Sequence, residues 1–568
     1  MFTPLRGTLC HLSTVLSSGT ESGVSPKPRW SCQRSGATSI LKLYFPPTAI
    51  PPLLFFFFSF PIFMLFISLD NILDSSSLRT SSNSGIDIAI VGGMGSTDID
   101  FLVQAGLQDS IILPSAPEYT TRIDSYFNNC AKLKPACILM PRDTVEVARG
   151  VKALVKAGQK FAVRSGGSNF WPSNNIDGGV TVDLGRINTI EYDPQAETAR
   201  LGAGVIAGQI YEELTKYERA VGVARESSVG IAGLILTGGI TLFTGRYGFA
   251  CDQVVSYEVV LADGRIVTVD AAGAHADLYR ALKGGGNNFG IVTYFTMRTF
   301  KCKEVWGGGS ILAQEHFPAV AECIVDYINK ASGDPDTNLI CMYGKLTPQP
   351  VTVVASLYAN MAGVEKPPIL DRFWAFPEMF KSYQKTSLVG LLETTKQERN
   401  YHCNWFTLCF KNNASIILKA GELHDALVQE LQDHVEGGDF KTQCVFQALP
   451  LSFIQRSSEA GGNVLGLEQH DSDGIIWAFH VMVRTPELEA WAFPRSVQVY
   501  EGVRDYAASI DGLLSWVTGS YAHPTQGVFQ SYGKNNVKYL KQMAAKYDAD
   551  GIFQHLCPSG FKISAIKE

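Results

Sequence analysis

Two glycine clusters set into apolar sequence constrain this chain more than any other feature. The first is Arg164-Ser-Gly-Gly-Ser-Asn169. The second runs from Val229-Gly-Ile-Ala-Gly233 through Thr237-Gly-Gly239 to Gly245-Arg-Tyr-Gly248. Glycine permits positive φ and close approach to the backbone, so such turns can present N–H groups to a phosphate or lie flat against a planar ligand. On the residues alone, a loop-rich hairpin domain explains them as well. The flanking pattern is an α+β order. A short apolar strand at 135–141 is closed by proline, and residues 144–158 have the spacing of an amphipathic helix. A strand at 161–167 ends in a tight turn, and further strands are predicted at 179–184 and 199–204.

At 568 residues the chain is too long for one ordinary core, so two or more domains are expected. A net charge of −6 gives no global electrostatic case for nucleic acid. The 12 cysteines include no C-x-x-C pair, and no metal is expected. Cys130 and Cys137 are close enough in sequence to pair in an oxidising compartment. Residues 1–85 read as a leader and linker. Arg6, Lys27, Arg29, Arg34 and Lys42 precede an uncharged run whose apolar segment, 51–69, approaches the roughly 20 residues of a bilayer span. A signal-anchor, a cleaved signal with an upstream extension, and an incorrectly assigned translation start all fit. The first two imply the secretory pathway, with a secreted or membrane-tethered body, and make Asn413-Ala-Ser415 a glycosylation site. Ile86 to Gly95 imitates a strand entering a G-x-G turn but lacks the third glycine of a dinucleotide fingerprint.

Residues 306–515 differ in texture. Strands are predicted at 351–358 and 474–483 and a helix at 422–435, a sheet covered by helices. Trp306, Trp374, Phe376, Trp405, Trp477 and Phe479 read mostly as core, and His402, His470, His480 and His523 as structural or solvated.

The glycine turns, with Gly178-Gly-Val-Thr-Val-Asp-Leu184, Gly245 to Asp252, Ala281 to Thr293 and the tail Ser531-Tyr-Gly-Lys-Asn-Asn536, resemble the FAD-linked oxidases of the vanillyl-alcohol-oxidase superfamily. The likeness is to the berberine-bridge-enzyme-like group in its fungal form, with a PCMH-type FAD-binding domain. It implies an α+β chain in which a two-lobed FAD-binding domain (86–133 and 134–305) joins a substrate domain (306–515), with a C-terminal segment (516–568) returning to the flavin. Carried over by motif, the FAD contacts are Arg164, Ser165, Gly166, Gly167, Ser168, Asn169, Val229, Gly230, Gly233, Gly239, Gly248, Ile291, Tyr532 and Asn536. Tyr521 takes the place of a catalytic base, with His523 where an acidic companion is usual. A tyrosine in that role needs a nearby positive charge. Val229 is placed over the flavin's reactive edge, where a small side chain leaves room for dioxygen. Where most relatives tether FAD through a histidine and some through a cysteine, this chain has Ser168 and Glu226, so non-covalent FAD of lower potential is expected. The implied reaction is hydride transfer from a small organic molecule, such as a secondary metabolite, to FAD, with dioxygen as acceptor. A carbohydrate or alcohol oxidase, a redox-neutral cyclase and a ligand binder remain alternatives.

Overall fold

In the computed structural model, residues 99–346 and 351–566 are described; the leader, its apolar segment 51–69 and the G-x-G-like stretch lie outside them. No helix among the described residues is long and apolar enough to cross a membrane.

The amphipathic stretch near residue 150 forms the helix Thr144–Ala157, turning Val147, Val151 and Leu154 into the core. Asp143 accepts a hydrogen bond from the Glu146 amide at its start, and Gly158, at φ 62°, closes it. The strands around it build two small sheets. The first has the order Ile111–Ile112, Cys137–Leu139, Val180–Asp183, Phe161–Arg164, its last three strands parallel. The second is antiparallel: Ile190–Asp193, Thr198–Gly202, Ile291–Arg298, Val254–Val260, Ile266–Asp270. One hydrophobic core contains residues of both sheets.

From Val305 the chain enters a nine-stranded antiparallel sheet. Its central strands are Val353–Asn360, Thr337–Gly344, Lys441–Leu449, Gly474–Val483 and His402–Lys411, in that order. Helices Phe317–Lys330, Ala414–His434 and Pro486–Ser509 cover one face. Side chains alternate across a pleated strand. Thus Ile475, Trp477, Phe479, Val481 and Val483 pack under the helices, while Ala478 and Met482 point the other way. On the neighbouring strand Leu408 and Phe410 join the helical layer, and Cys403 and Trp405 face away from it. Beyond Leu514 the tail returns to the core of the two small sheets, contributing Trp516, Phe529, Tyr532, Leu540, Phe553 and Ile563.

Two local expectations need correction. The helix expected at 422–435 begins at Ala414, because Asn413 caps it by accepting from the Ser415 amide. Cys130 and Cys137 are both free. Cys137 points into the core from the middle of its sheet, whereas the Cys130 sulfur lies 3.5 Å from His402 Nδ1.

Candidate active site

A cavity of about 690 Å³ lies between the glycine turns and the helix-free face of the nine-stranded sheet. Its floor includes Ser165, Gly166, Gly167, Ser168, Asn169, Val229, Gly230, Gly233 and Ile291. The roof includes Met342, Trp405, Gln443, Val445, Ala478 and Met482, and the tail contributes Tyr521 and Tyr532.

Backbone packing explains why the floor is glycine. Gly166 and Gly230 press directly on each other. A β-carbon on Gly166 would lie 2.5 Å from the Gly230 nitrogen, and one on Gly230 2.3 Å from the Gly166 nitrogen. Gly167 has φ +72°, and a β-carbon there would meet the Arg164 guanidinium at 2.8 Å. The N–H groups of Gly166, Gly167, Ser168 and Asn169 donate to no acceptor among the described residues. Four consecutive free donors at a cavity wall form an anion-binding concavity. At Gly233 an added β-carbon would meet nothing within 4 Å, so bare backbone faces the cavity. These features fit FAD: free amides for the pyrophosphate, and a glycine-paved, apolar surface for the flat ring.

Four of the residues named from sequence stand behind this wall. Arg164 is buried beneath the Gly167 turn, donating to the Arg122 carbonyl and Ser125 Oγ and stacking on Tyr126 at 3.7 Å. Its side chain supports the turn from beneath. Gly239 (φ +82°) abuts Leu234 and Ala250, and Gly248 (φ +78°) abuts Asp252; both shape the second glycine segment from outside. Asn536 accepts from Arg280 and donates to Glu468 and the Tyr532 carbonyl, bridging the tail to its neighbours. Tyr532 lines the cavity, and its hydroxyl donates to the Gly284 carbonyl.

Tyr521 projects from the tail under the sheet. Its Oη accepts a hydrogen bond from Arg225 Nη2 at 2.8 Å, and the same nitrogen donates to Gln447 Oε1. The positive charge sought beside this tyrosine is therefore Arg225. His523 cannot supply it. Its ring stacks on Phe406, 4.7 Å away, and burial pushes its pKa down to about 4, leaving it neutral. Tyr521 also lies over Trp405, which is sandwiched between Phe170 at 3.7 Å and His480 at 4.0 Å. His480 is fully buried, and its pKa is lowered to about 3 by that burial. Trp171 Nε1 and Trp405 Nε1 have no acceptor among the described residues, so the cavity wall holds two unused donors.

At the positions where a flavin tether would attach, Ser168 Oγ donates to the Ser228 carbonyl. Glu226 Oε2 accepts from the amide and hydroxyl of Ser228. Both side chains are engaged in holding the Glu226–Ser228 turn. Sequence reading missed Arg225, Gln443 and Gln447. Arg225 adjoins Glu226 but carries no motif of its own, and its partnership with Tyr521 spans 296 residues.

Residues 135–270 match the model of an FAD-binding domain family. The FAD-dependent monooxygenase drtC of Aspergillus calidoustus is 30% identical over 471 residues, covering 82% of this chain and 90% of that protein. Among solved structures, a berberine bridge enzyme variant superposes with a TM-score of 0.66 at 15% identity, covering 81% of this chain and 99% of that one. The xylooligosaccharide oxidase of Myceliophthora thermophila C1 in complex with xylobiose gives 0.65 at 19% identity, with 81% and 98% covered. The turns, the cavity and the relatives agree: the chain belongs to the FAD-dependent oxidoreductases of the vanillyl-alcohol-oxidase superfamily, in the berberine-bridge-enzyme-like group that includes fungal FAD-dependent monooxygenases.

Proposed function

We propose that this oxidoreductase oxidises a small, largely apolar organic substrate, such as a secondary metabolite, with dioxygen as final acceptor. The Arg225–Tyr521 pair at the roof of the cavity carries the reading. When bound, FAD supplies the hydride acceptor. The Gly166–Asn169 amides would hold its pyrophosphate, and Val229, Gly230, Gly233 and Ile291 would pack against its ring. Tyr521 Oη takes the substrate's acidic proton. Arg225 fixes the phenol, occupying one side of the oxygen so that the other faces the cavity. Trp405, Phe170 and Met482 orient the substrate and exclude water. Val229, small and at the floor, leaves space for dioxygen.

The roof favours this substrate class over an oligosaccharide. Val445, Ala478, Met342 and Met482 present an apolar surface to a substrate, beside the polar groups of Gln443 and the Trp405 indole N–H. A redox-neutral cyclisation is favoured by one observation, the Ser168 and Glu226 that replace the tether and with it an electron-withdrawing substituent on the flavin. Anaerobic addition of candidate metabolites separates the two. An oxidase bleaches its flavin and, on admission of air, yields hydrogen peroxide. Turnover without bleaching establishes the cyclase instead.

The same reading extends to location: the basic-then-apolar leader directs the body into the secretory pathway, where Asn413 carries a glycan. Endoglycosidase treatment of the protein from its own host should lower its mass. Cytosolic, unglycosylated protein overturns this.

A further inference from the structure

We propose that Cys130, His402 and Glu489 bind a zinc ion that clasps the FAD-binding half of the molecule to the substrate half. The three come from separate elements. Cys130 is in the short turn Asn129–Ala131, His402 opens the strand His402–Lys411, and Glu489 is in the first turn of the helix Pro486–Ser509. One ligand atom from each lies within 4.8 Å of the others, and the sulfur is 3.5 Å from His402 Nδ1. Zinc bonds of about 2.0–2.3 Å place tetrahedral ligands roughly 3.3–3.8 Å apart. The sulfur–nitrogen pair already has that spacing, and the Glu489 carboxylate, within 4.8 Å of both, would have to move closer on binding.

The ligand chemistry selects the metal. A thiolate, an imidazole and one carboxylate form a mixed set that suits borderline zinc, not calcium or magnesium. All three side chains are half-buried, which leaves water for the fourth position.

A nucleophilic triad is the competing use of these residues. None of the three lines the cavity. On binding, the thiol proton is released to solvent and a Zn–S bond forms, with no change of oxidation state.

The position suggests what the ion does. The Asn129 amide donates to the Tyr401 carbonyl at 2.9 Å, and the Asn128 side chain bonds both the amide and the carbonyl of Cys403. These bonds cross between the halves beside the cluster. Three residues along the same strand is Trp405, the aromatic roof of the cavity. Zinc would anchor the strand end from which Trp405 is hung. The ligands are far apart in sequence, 272 residues between Cys130 and His402, so spacing rules could not reveal them.

The test uses the full, flavin-loaded chain, dialysed against a chelator and then titrated with Zn2+ or Co2+. One Zn2+ per chain should be retained, Co2+ should give a near-ultraviolet thiolate charge-transfer band, and Zn2+ should raise the thermal midpoint. Cys130→Ser should abolish the band and weaken zinc binding by at least about tenfold, with the flavin spectrum unchanged. Should that variant not fold, alkylation of Cys130 in the unmodified protein decides, and Zn2+ should slow it by about tenfold or more. Equal alkylation rates with and without zinc, or zinc binding undiminished in Cys130→Ser, overturn the proposal.

Discussion

Tyr521 and Arg225 are joined by one hydrogen bond across 296 residues of sequence, and each is placed by a different part of the fold. Tyr521→Phe removes the proton acceptor but keeps the ring over Trp405. It should lower kcat by about 10²–10⁴-fold, the range for a general base, with flavin content unchanged. Arg225→Met, which removes the hydrogen bond to the tyrosine oxygen, should act in the same direction, lowering kcat while flavin content is unchanged. A wild-type rate in Tyr521→Phe would remove the tyrosine from the mechanism. The buried imidazole beside Trp405 gives a second test. Folded His480 takes its proton only near pH 3, whereas an unfolded histidine does so near 6.5. Between those values the unfolded chain binds the extra proton, so the stability contributed is complete above pH 6.5 and declines as pH falls. The loss is about 2 kcal/mol at pH 5. Urea midpoints at pH 7 and pH 5 should therefore differ less in His480→Leu than in the wild type. At this scale the sequence was legible where chemistry is contiguous, as in Ser165 to Asn169 and Val229 to Gly233. It was not legible for Arg225, whose meaning comes only from a residue in the tail.

Adjacent residues of one strand do opposite jobs, and this makes the nine-stranded sheet testable. Trp477 is fully buried beneath the covering helices, while Ala478 faces the cavity. Trp477→Ala should cost about 3–5 kcal/mol in unfolding free energy and leave the order of substrate preference unchanged. Ala478→Phe, whose added bulk enters the cavity, should raise KM for bulky substrates and cost less unfolding free energy than Trp477→Ala. If Ala478→Phe destabilises as much as Trp477→Ala, the assigned faces are wrong. The pressed pair Gly166 and Gly230 adds a test on the floor. Gly166→Ala forces two backbones apart, at a cost of about 1–3 kcal/mol, and purified protein should carry less flavin. Elements were legible in sequence where an apolar run was uninterrupted: the strand Gly474–Val483 has the predicted bounds. The start of Ala414–His434 was missed because Asn413 and Ser415 read as a glycosylation signal, while in the fold the same two residues form the helix cap.

At the scale of the whole molecule, the expectation that FAD is held without a covalent tether can be tested through its retention. Three separated stretches supply the wall: the turn after Phe161–Arg164, the segment from Val229, and the tail carrying Tyr532. None of them encloses a ligand alone, and Ser168 and Glu226 are both occupied by Ser228. Their oxygens form neither the histidyl nor the cysteinyl bond to a flavin ring. Retention therefore depends on the folded assembly of all three, and unfolding should release the cofactor as the core opens. Flavin fluorescence should rise at the same temperature as the tryptophan transition. Added FAD should move both upward, because a ligand that binds only the folded state stabilises it by about 2.7 kcal/mol at a free concentration 100 times its Kd. A covalent flavin would show no such dependence on free FAD. Acid precipitation gives the decisive reading: yellow colour stays in the supernatant if the cofactor is free. Flavin fluorescence that runs with the denatured polypeptide on a gel would refute the non-covalent assignment. Ser168→His restores the nitrogen that relatives use, at a position already on the cavity wall. If the ring lies against this turn, part of the colour should become acid-insoluble in that variant.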